Sequence, residues 1–536
     1  MKRYEPLVEA LARAARAIGV SDVPEVKLET PRDAAHGDAA TNLALALAKA
    51  LGKKPRQVAE ELVRALDLPP GYAKRVEVAG PGFINFFLAE EQLAAVLADV
   101  VASGARYGRS DVGHGRTVNV EFVSANPTGP LHVGHGRGAA LGDVIARLLE
   151  WTGHAVTREF YVNDAGSQID KLAQSLRARM DRAEVPEGGY HGEYLVELAT
   201  VANTRAELKG SLPLLRNFAK QAIRKEQEAD LEEFGVTFDV WRSEQADLYD
   251  AGKVQGTLDR LTDLGVTFEQ EGALWLRSTA FGDDKDRVLR KQDGSLTYLA
   301  PDIAYHVDKH DRGFETVVDV WGADHHGYIG RVRAALRALG YADAFFNVVL
   351  VQLVKVVRGG EEVKMSKRSG EFVTLRELVD EVGIDAARFF FLMRRGDSQF
   401  VFDVDLAKRQ TDENPVFYVQ MAHARMSGIF RVAEREVGSA GTAGVDLSCL
   451  TAPEETELLS ELAAFPKVVA RAAETFEPHR ITGYLEGLAR IAHAWYHKYR
   501  VLGEPEEAAR LVLARAVRQV LANGLAILEI RAPDRM

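Results

Sequence analysis

The fold is decided by residues 126–136, which read NPTGPLHVGHG. An apolar strand pattern precedes this stretch at residues 117–123, and a helical pattern follows it to about Trp151. A second strand pattern then covers residues 155–162. Strand, helix and strand in this order form the unit from which parallel sheets are built. We therefore expect the stretch to be a strand-to-helix turn at the carboxyl edge of a parallel sheet, where such folds bind ligands.

The residue types in this turn suit a phosphate ligand. Backbone N–H groups at the start of a helix attract anions. His132 and His135 are three positions apart, so both can point the same way from the first helical turn and donate to a polyphosphate. Gly134 and Gly136 would let the backbone approach a flat ring closely. On this motif alone, two surface histidines in a glycine-rich turn remain an equal alternative.

The alternation of strands and helices is interrupted after this unit and later resumes. We predict a mostly helical insertion at about residues 165–295, and hairpin strands at residues 274–276, 288–290 and 296–299. The alternation then continues with strands at residues 316–321 and 347–357. The pattern predicts an α/β domain whose parallel sheet is split by the insertion.

A second motif follows the last of these strands. Residues 363–370 read VKMSKRSG, and two lysines three apart on a flexible loop suit a clamp on the β- and γ-phosphates of a nucleotide. For a single short basic run, a solvated surface loop is the simpler interpretation.

The flanking regions differ from the central one. Residues 1–105 predict a separate α+β module with a strand pair at residues 75–79 and 82–88, and residues 104–115 predict a linker. Residues 406–536 predict a bundle of long helices. The central domain then covers residues 106–405, which gives three domains in all.

The composition excludes several classes of protein. The chain has 536 residues, of which 46% are hydrophobic and 27% charged, a profile typical of multidomain globular proteins. Its one cysteine, Cys449, excludes an internal disulfide framework and any zinc site with two thiolates. No apolar run reaches the roughly 18 residues of a membrane span, so we expect a cytoplasmic protein without membrane contact. The net charge of −11 argues against binding nucleic acid through bulk charge, but not against a local basic face.

The two motifs, in this order and on this fold, resemble the signatures of class I aminoacyl-tRNA synthetases. The HIGH signature corresponds to residues 132–135, and the KMSKS signature to residues 364–368, with Arg368 where the family pattern has serine. Other segments resemble arginyl-tRNA synthetases in particular: EFVSANPTGP at 121–130, YVNDAGSQ at 161–168, WGADHHGY at 321–328, DENPVFYVQ at 412–420, HGD at 36–38, GFIN at 82–85 and APDRM at 532–536. The resemblance covers essentially the whole chain.

The resemblance assigns roles in ATP chemistry. It implies catalytic roles for His132, His135, Lys364 and Lys367. It implies nucleotide binding by Gly134, Gly136, Met365 and Ser366.

The acidic residues at the sheet edge suit a cationic amino acid. A guanidinium needs planar carboxylate acceptors in a partly desolvated pocket. Glu121 ends the first strand, and Asp302 follows the predicted strand at residues 296–299. By resemblance, both carboxylates would hold the side chain of arginine. The other residues implied in arginine binding are Asn126, Tyr298 and His326. A helix cap or a surface charge remains an alternative for each carboxylate.

The outer domains carry the candidate tRNA contacts. The resemblance implies that the N-terminal module contacts the tRNA elbow and that the helical domain binds the anticodon. The candidate residues are Asn85, Tyr418, His423 and Arg425. Satisfaction within the sheet or the bundle is the alternative for Asn85, His423 and Arg425.

The implied function is that of an arginine–tRNA ligase, which activates L-arginine with ATP and transfers it to the 3′ end of tRNA(Arg). The alternative is another class I synthetase, such as the glutaminyl or glutamyl enzyme. ATP would arrive with Mg²⁺, and we expect no tightly bound cofactor and no protein metal site. The resemblance further implies a monomer that activates arginine only when tRNA is present.

Overall fold

The computed structural model describes residues 5–29, 31, 36–69, 72–363 and 373–536. The predictions made for Lys364, Met365, Ser366 and Lys367 lie outside these residues, as does the loop at 363–370 apart from its first residue. Within the described part of the chain, no helix combines the length and the apolar character that a membrane span requires.

The N-terminal part of the chain forms an α+β module. Its elements are α1 (Glu5–Ala17), β1 (Ala39–Thr41), α2 (Leu43–Leu51), α3 (Pro55–Arg64), β2 (Ala73–Ala79), β3 (Phe83–Leu88) and α4 (Glu90–Ser103). The three strands form an antiparallel sheet in the order β1–β3–β2, which confirms the predicted strand pair. Leu7, Leu11 and Ala14 recur at helical spacing and are fully buried, so α1 packs through one apolar face.

The central domain is built on parallel strands. Its first part comprises β4 (Thr117–Glu121), α5 (Val133–Trp151), β5 (Ala155–Val162), α6 (Ser167–Met180), α7 (Glu193–Asn203), α8 (Leu212–Glu233), β6 (Val240–Ser243), α9 (Lys253–Asp263), β7 (Thr267–Gln270), β8 (Ala273–Leu276), β9 (Arg287–Arg290), α10 (Leu299–Asp311) and β10 (Thr316–Gly322). Its second part comprises α11 (Ile329–Ala338), β11 (Phe346–Val351), β12 (Val354–Arg358), β13 (Glu361–Glu362), α12 (Leu375–Val382), α13 (Ile384–Leu392), β14 (Phe400–Asp403) and α14 (Val404–Lys408).

Five of these strands form the main sheet, in the order β11–β10–β4–β5–β6, and every neighbouring pair is parallel. The predicted α/β fold class is therefore confirmed. Helix α5 lies directly on the sheet because Gly142 has no side chain. A Cβ atom there would stand 2.1 Å from the ring of Phe122.

Two strands differ from the prediction. The sequence analysis missed β6, which lies inside the predicted insertion and yet belongs to the main sheet. With only four residues, it is too short for a periodic pattern to stand out. The strand predicted at residues 347–357 is two strands, because the chain leaves the main sheet at Gln352 and Leu353 and pairs next with β14.

The strand predicted at residues 296–299 is wrong. Leu296 forms a single bridge with Arg290, and α10 begins at Leu299. A short apolar run does not distinguish a strand from the start of a helix, and Pro301 is well tolerated in a first helical turn. Asp302 therefore lies in the first turn of α10.

The C-terminal region is helical. Its long helices are α15 (Pro415–Val432), α16 (Pro453–Glu474), α17 (His479–Lys498) and α18 (Glu507–Ile527). Among the described residues after Asp403 there is no strand, which agrees with the predicted bundle.

The N-terminal module is packed against this bundle, and the predicted linker at residues 104–115 is in part a packed segment. Helix α4 lies against α16 and α18. The hydroxyl of Tyr107 donates to the carbonyl of Leu462 at 2.8 Å, and its ring stacks with Phe465 at 6.3 Å. Asn523, which is 3% exposed, donates to the carbonyls of Gly104 and Tyr107 at 3.0 and 2.9 Å. Buried and paired polar groups therefore attach the module to the bundle.

Candidate active site

A cavity of about 900 Å³ lies at the carboxyl ends of β4, β5, β10 and β11. Its walls include the turn after β4, both histidines of the NPTGPLHVGHG stretch, and the residues that follow β10 and β11. This is the edge at which the sequence analysis placed a ligand. The predicted residues that line it are Asn126, His132, Gly134 and His135.

The two histidines form a matched pair at the start of α5. His132 is the N-cap, and its Nδ1 accepts from the backbone N–H groups of Gly134 and His135 at 3.1 and 3.3 Å. The Nδ1 of His135 accepts from the N–H of His132 at 3.3 Å, and the rings stack 3.6 Å apart. Because each Nδ1 is an acceptor, each ring carries its hydrogen on Nε2 when neutral. Both rings therefore lie at the N-terminus of α5, the end of a helix that attracts anions. Their donation to a polyphosphate stays a prediction.

The two glycines of this turn have different surroundings. Gly134 lines the cavity, and its role in nucleotide binding stays a prediction. A Cβ atom on Gly136 would stand 2.6 Å from the side chain of Leu375 and 3.2 Å from Phe391. Gly136 thus serves the close packing of α5 against other helices, which the motif alone did not reveal.

The chain just after the second motif is attached to the histidine turn. Thr374 forms an isolated antiparallel bridge with His132. The N–H of Val133 donates to the carbonyl of Val373 at 3.2 Å, and the N–H of Leu375 donates to the carbonyl of Leu131 at 2.8 Å. The fold therefore brings residues 373–375, which follow the second motif in the sequence, to the first motif.

Two acidic side chains, Asp302 and Glu244, lie close to Tyr161, which lines the cavity, and we call this group the acidic pocket. Burial raises the pKa of Asp302 to about 7. The nearby carboxylates of Glu244 and Glu121 add to this rise, and His306 acts in the opposite direction. Burial also raises the pKa of Glu244 to about 7, despite a hydrogen bond from Tyr161.

Two tyrosines lie close to these carboxyls. Burial raises the pKa values of Tyr249 and Tyr328, and the nearby charge of Asp302 raises them further. A cation bound between two such carboxyls would favour their charged forms.

The sequence analysis missed Glu244. It is the first residue after β6 and is 7% exposed. Its position at the carboxyl end of a sheet strand was the available signal, but that signal depends on detecting β6.

Glu121 already has an internal cation, which the prediction did not include. Its Oε2 accepts from the ammonium of Lys309 at 2.6 Å, and its Oε1 accepts from the hydroxyl of Ser124 at 2.8 Å. Lys309 is fully buried and also donates to Asp319 at 2.9 Å. The Nε2 of His306 lies 2.8 Å from the second oxygen of Asp319. Burial raises the pKa of Glu121, while Lys309 acts in the opposite direction. Glu121 therefore belongs to a buried ion cluster beneath the pocket.

Of the remaining predicted arginine-binding residues, Asn126 lines the cavity, whereas Tyr298 and His326 are not among its lining residues. The side-chain amide of Asn126 donates to Gln168 at 2.8 Å. Tyr298 is 79% exposed at the N-cap of α10, four residues before Asp302. His326 is exposed on the helical turn Ala323–Tyr328, and it is the adjacent His325 that lines the cavity.

The predicted tRNA-binding residues divide into buried and accessible ones. Asn85 is 4% exposed in the middle strand of the N-terminal sheet, and His423 is 1% exposed with its Nδ1 2.8 Å from the carbonyl of Pro533. For these two, direct contact with a ligand is not available in this structure, because neighbouring elements cover their side chains. Tyr418 and Arg425 are half-buried.

Arg425 belongs to a cluster on the bundle that the sequence analysis did not assemble. Its guanidinium donates to His493 at 2.7 Å and to His497 at 3.2 Å, and it lies 5.9 Å from the ring of Tyr496. His493 in turn contacts the carbonyl of Tyr418 at 3.0 Å.

The parallel sheet, the helix that begins at the paired histidines and the C-terminal helical domain are consistent with the fold of class I aminoacyl-tRNA synthetases. Residues 5–88 match the family model for the arginyl tRNA synthetase N terminal domain. Residues 96–189 and 192–426 match the model for tRNA synthetases class I (R), catalytic domain, and residues 419–536 match the DALR anticodon binding domain. The chain belongs to the arginyl-tRNA synthetase family.

Full-length relatives agree with this assignment. The chain is 50% identical over 529 residues to the arginine–tRNA ligase of Syntrophotalea carbinolica, covering 96% of this chain and 95% of the relative. It is 47% identical over 550 residues to arginine–tRNA ligase 1 of Halalkalibacterium halodurans, covering 99% of each. The solved arginyl-tRNA synthetase of Thermus thermophilus superimposes with a TM-score of 0.79 at 26% identity, over 100% of both chains. The glutaminyl and glutamyl alternatives are not favoured by these matches.

Proposed function

We propose that the chain activates L-arginine with ATP, forming arginyl-adenylate and pyrophosphate, and then transfers the arginine to the 3′ end of tRNA(Arg). The acidic pocket of Asp302 and Glu244, next to the histidine-capped helix, is the observation that carries the proposal. It joins a cation site to an anion site at one sheet edge, as a reaction between arginine and ATP requires.

Amino-acid-dependent exchange of pyrophosphate into ATP tests this activity. The assay would contain cognate tRNA and, in separate reactions, arginine, glutamine, glutamate or lysine. Only arginine should support exchange. Equal exchange with glutamine or glutamate would refute the assignment, and omission of tRNA would show whether activation depends on it.

The geometry supports a division of labour within the arginine pocket. Asp302 and Glu244 accept hydrogen bonds from the guanidinium, and the exposed ring of Tyr298 packs along the aliphatic stem. Asn126 holds the amino-acid end, with His326 nearby. Glu121 supports the pocket from below, through its buried pair with Lys309.

The affinity for arginine should rise with pH. The pKa values of Asp302 and Glu244 are both about 7 in the ligand-free protein, whereas the guanidinium of arginine stays charged. Below pH 7 the carboxyls are largely protonated, so binding arginine must release protons. From pH 8 to pH 6, KM for arginine should rise about tenfold for each carboxyl that must ionise. Exchange kinetics at several pH values measure this, with KM for ATP as the control, and a KM for arginine that is constant across this range would contradict the assignment.

The phosphate chemistry is assigned to the two motifs. The Nε2–H groups of His132 and His135 donate to the polyphosphate as charge develops on it, and Gly134 lies beside the nucleotide. The loop residues Lys364, Met365, Ser366 and Lys367 complete the nucleotide site, with the two lysines on the β- and γ-phosphates. Mg²⁺ arrives with ATP and neutralises phosphate charge.

Replacing His135 with alanine should reduce kcat of arginine activation on the order of 10²–10³-fold, because a donor to the developing charge is lost. KM for ATP should change little, since the interaction strengthens in the transition state. His114→Asn, at an exposed turn position with φ of 50°, is the matched control and should retain wild-type kinetics. Wild-type kcat in His135→Ala, or a loss explained by unfolding in circular dichroism, would remove His135 from the chemistry.

The outer parts of the chain bind the tRNA in this proposal. The module of residues 1–105 contacts the elbow, and the bundle of residues 406–536 contacts the anticodon. In the sequence, these parts precede and follow the catalytic domain of residues 106–405. The accessible cluster around Tyr418 and Arg425 is the favoured surface on the bundle. We further propose that the protein acts as a monomer in the cytoplasm.

A further inference from the structure

The loop between β4 and α5 is held by side chains from the inserted helices. Residues 126–131 belong to no helix or strand, so their carbonyl groups need partners outside regular structure. Gln227, on α8, is 1% exposed, and its side-chain amide donates to the carbonyl of Asn126 at 3.1 Å and to that of Gly129 at 2.8 Å. One amide group therefore joins both ends of a four-residue turn.

Two other inserted helices reach the same loop. The hydroxyl of Tyr194, on α7, donates to the carbonyl of Thr128 at 2.8 Å. Gln168, on α6, accepts from the side-chain amide of Asn126 at 2.8 Å. Gln227 differs from both because it fixes the backbone on the two sides of the turn at once.

Helix α8 is also fixed to the other side of the histidine turn. Asp230, three positions after Gln227, accepts from Nε of Arg376 at 2.9 Å. Arg376 lies on α12, whose N-cap Thr374 forms the bridge with His132. Because α8 contacts both sides of the turn, its position sets the placement of Asn126 relative to His132.

We propose that Gln227 is a positioning residue, which places Asn126 for the amino-acid end of the substrate. The inference rests on the role given to Asn126 under the proposed function. If Gln227 had only a structural role, its replacement would change only the stability of the protein. A positioning Gln227 affects the kinetics of arginine in the folded enzyme, since small misplacement of a binding group is costly.

The test compares Gln227→Met, Asn126→Ala and the double variant in the full-length chain, by exchange in the presence of tRNA. Gln227→Met keeps the length of the side chain but removes both donors. It should lower kcat/KM for arginine about tenfold, as expected for two lost hydrogen bonds, and should change KM for ATP less than twofold. Gln221→Met, the same substitution on the exposed face of α8, is the matched control and should have no effect.

The double variant decides whether Gln227 acts through Asn126. If it does, the double variant should lose no more than Asn126→Ala alone. Independent, additive losses would overturn the inference, as would a Gln227→Met enzyme with a lowered Tm and unchanged kinetics. Should Gln227→Met fail to fold, Gln227→Asn keeps an amide too short to reach both carbonyls and should show the same arginine-specific loss. If Asn126→Ala has the same kinetics for arginine as the wild type, the role of Asn126 is refuted, and with it the basis of the inference.

Discussion

Asp302→Asn should lower kcat/KM for arginine on the order of 10²–10³-fold and leave the protein at least as stable as the wild type. The loss of activity follows because a buried charged pair with the guanidinium becomes a neutral contact. The stability follows because burial raises the pKa of Asp302 to about 7, so its charge costs free energy in the ligand-free fold. A site prepared for a cation is strained until the cation binds.

Arginine titrations of pyrophosphate exchange and a thermal unfolding curve measure the two effects. Asp311→Asn, at the exposed end of the same helix, is the matched control and should change neither. An Asp302→Asn enzyme with a wild-type KM for arginine would show that the guanidinium binds elsewhere.

The largest effect on stability is expected for Lys309→Met. This substitution leaves Glu121 and Asp319 buried without their shared ammonium group. Removing one partner from a buried ion cluster costs about 3–5 kcal/mol. The Tm should therefore fall by about 10 °C for a domain of this size.

Lys53→Met provides the control, because Lys53 pairs with Glu61 at 2.7 Å on the surface. An exposed pair contributes about 0–1 kcal/mol, so this variant should melt almost as the wild type does. Adding Glu121→Gln to Lys309→Met removes one of the unpaired charges and should restore part of the lost Tm. Equal melting of Lys309→Met and Lys53→Met would mean that the buried cluster does not stabilise the fold.

Some parts of the site could be predicted because they depend only on neighbouring residues in the sequence. The histidine turn, its place between β4 and α5 and the parallel sheet follow from residue types within a few tens of positions. Glu244 was missed because β6, the strand before it, has only four residues, which are too few for a recognisable strand pattern.

Other features depend on contacts between distant parts of the chain. Lys309 is 188 positions from Glu121, so no local pattern could indicate that this carboxylate already has a cation. The burial of His423 likewise depends on the chain end, where Pro533 lies 110 positions away. Tertiary packing, rather than residue type, decides whether such side chains meet a ligand or the protein interior.

The packing of α4 on the bundle has a consequence for how a long ligand is recognised. Asn523 and Tyr107 join the N-terminal module to the bundle through buried hydrogen bonds, so the spacing of the two outer surfaces is set before anything binds. For a tRNA that touches both surfaces, the second contact forms at a high effective concentration, without the entropy loss of ordering a flexible tether. The fixed distance between the two surfaces would favour ligands whose two contact points have the matching separation. Shorter or longer ligands could not reach both surfaces at once.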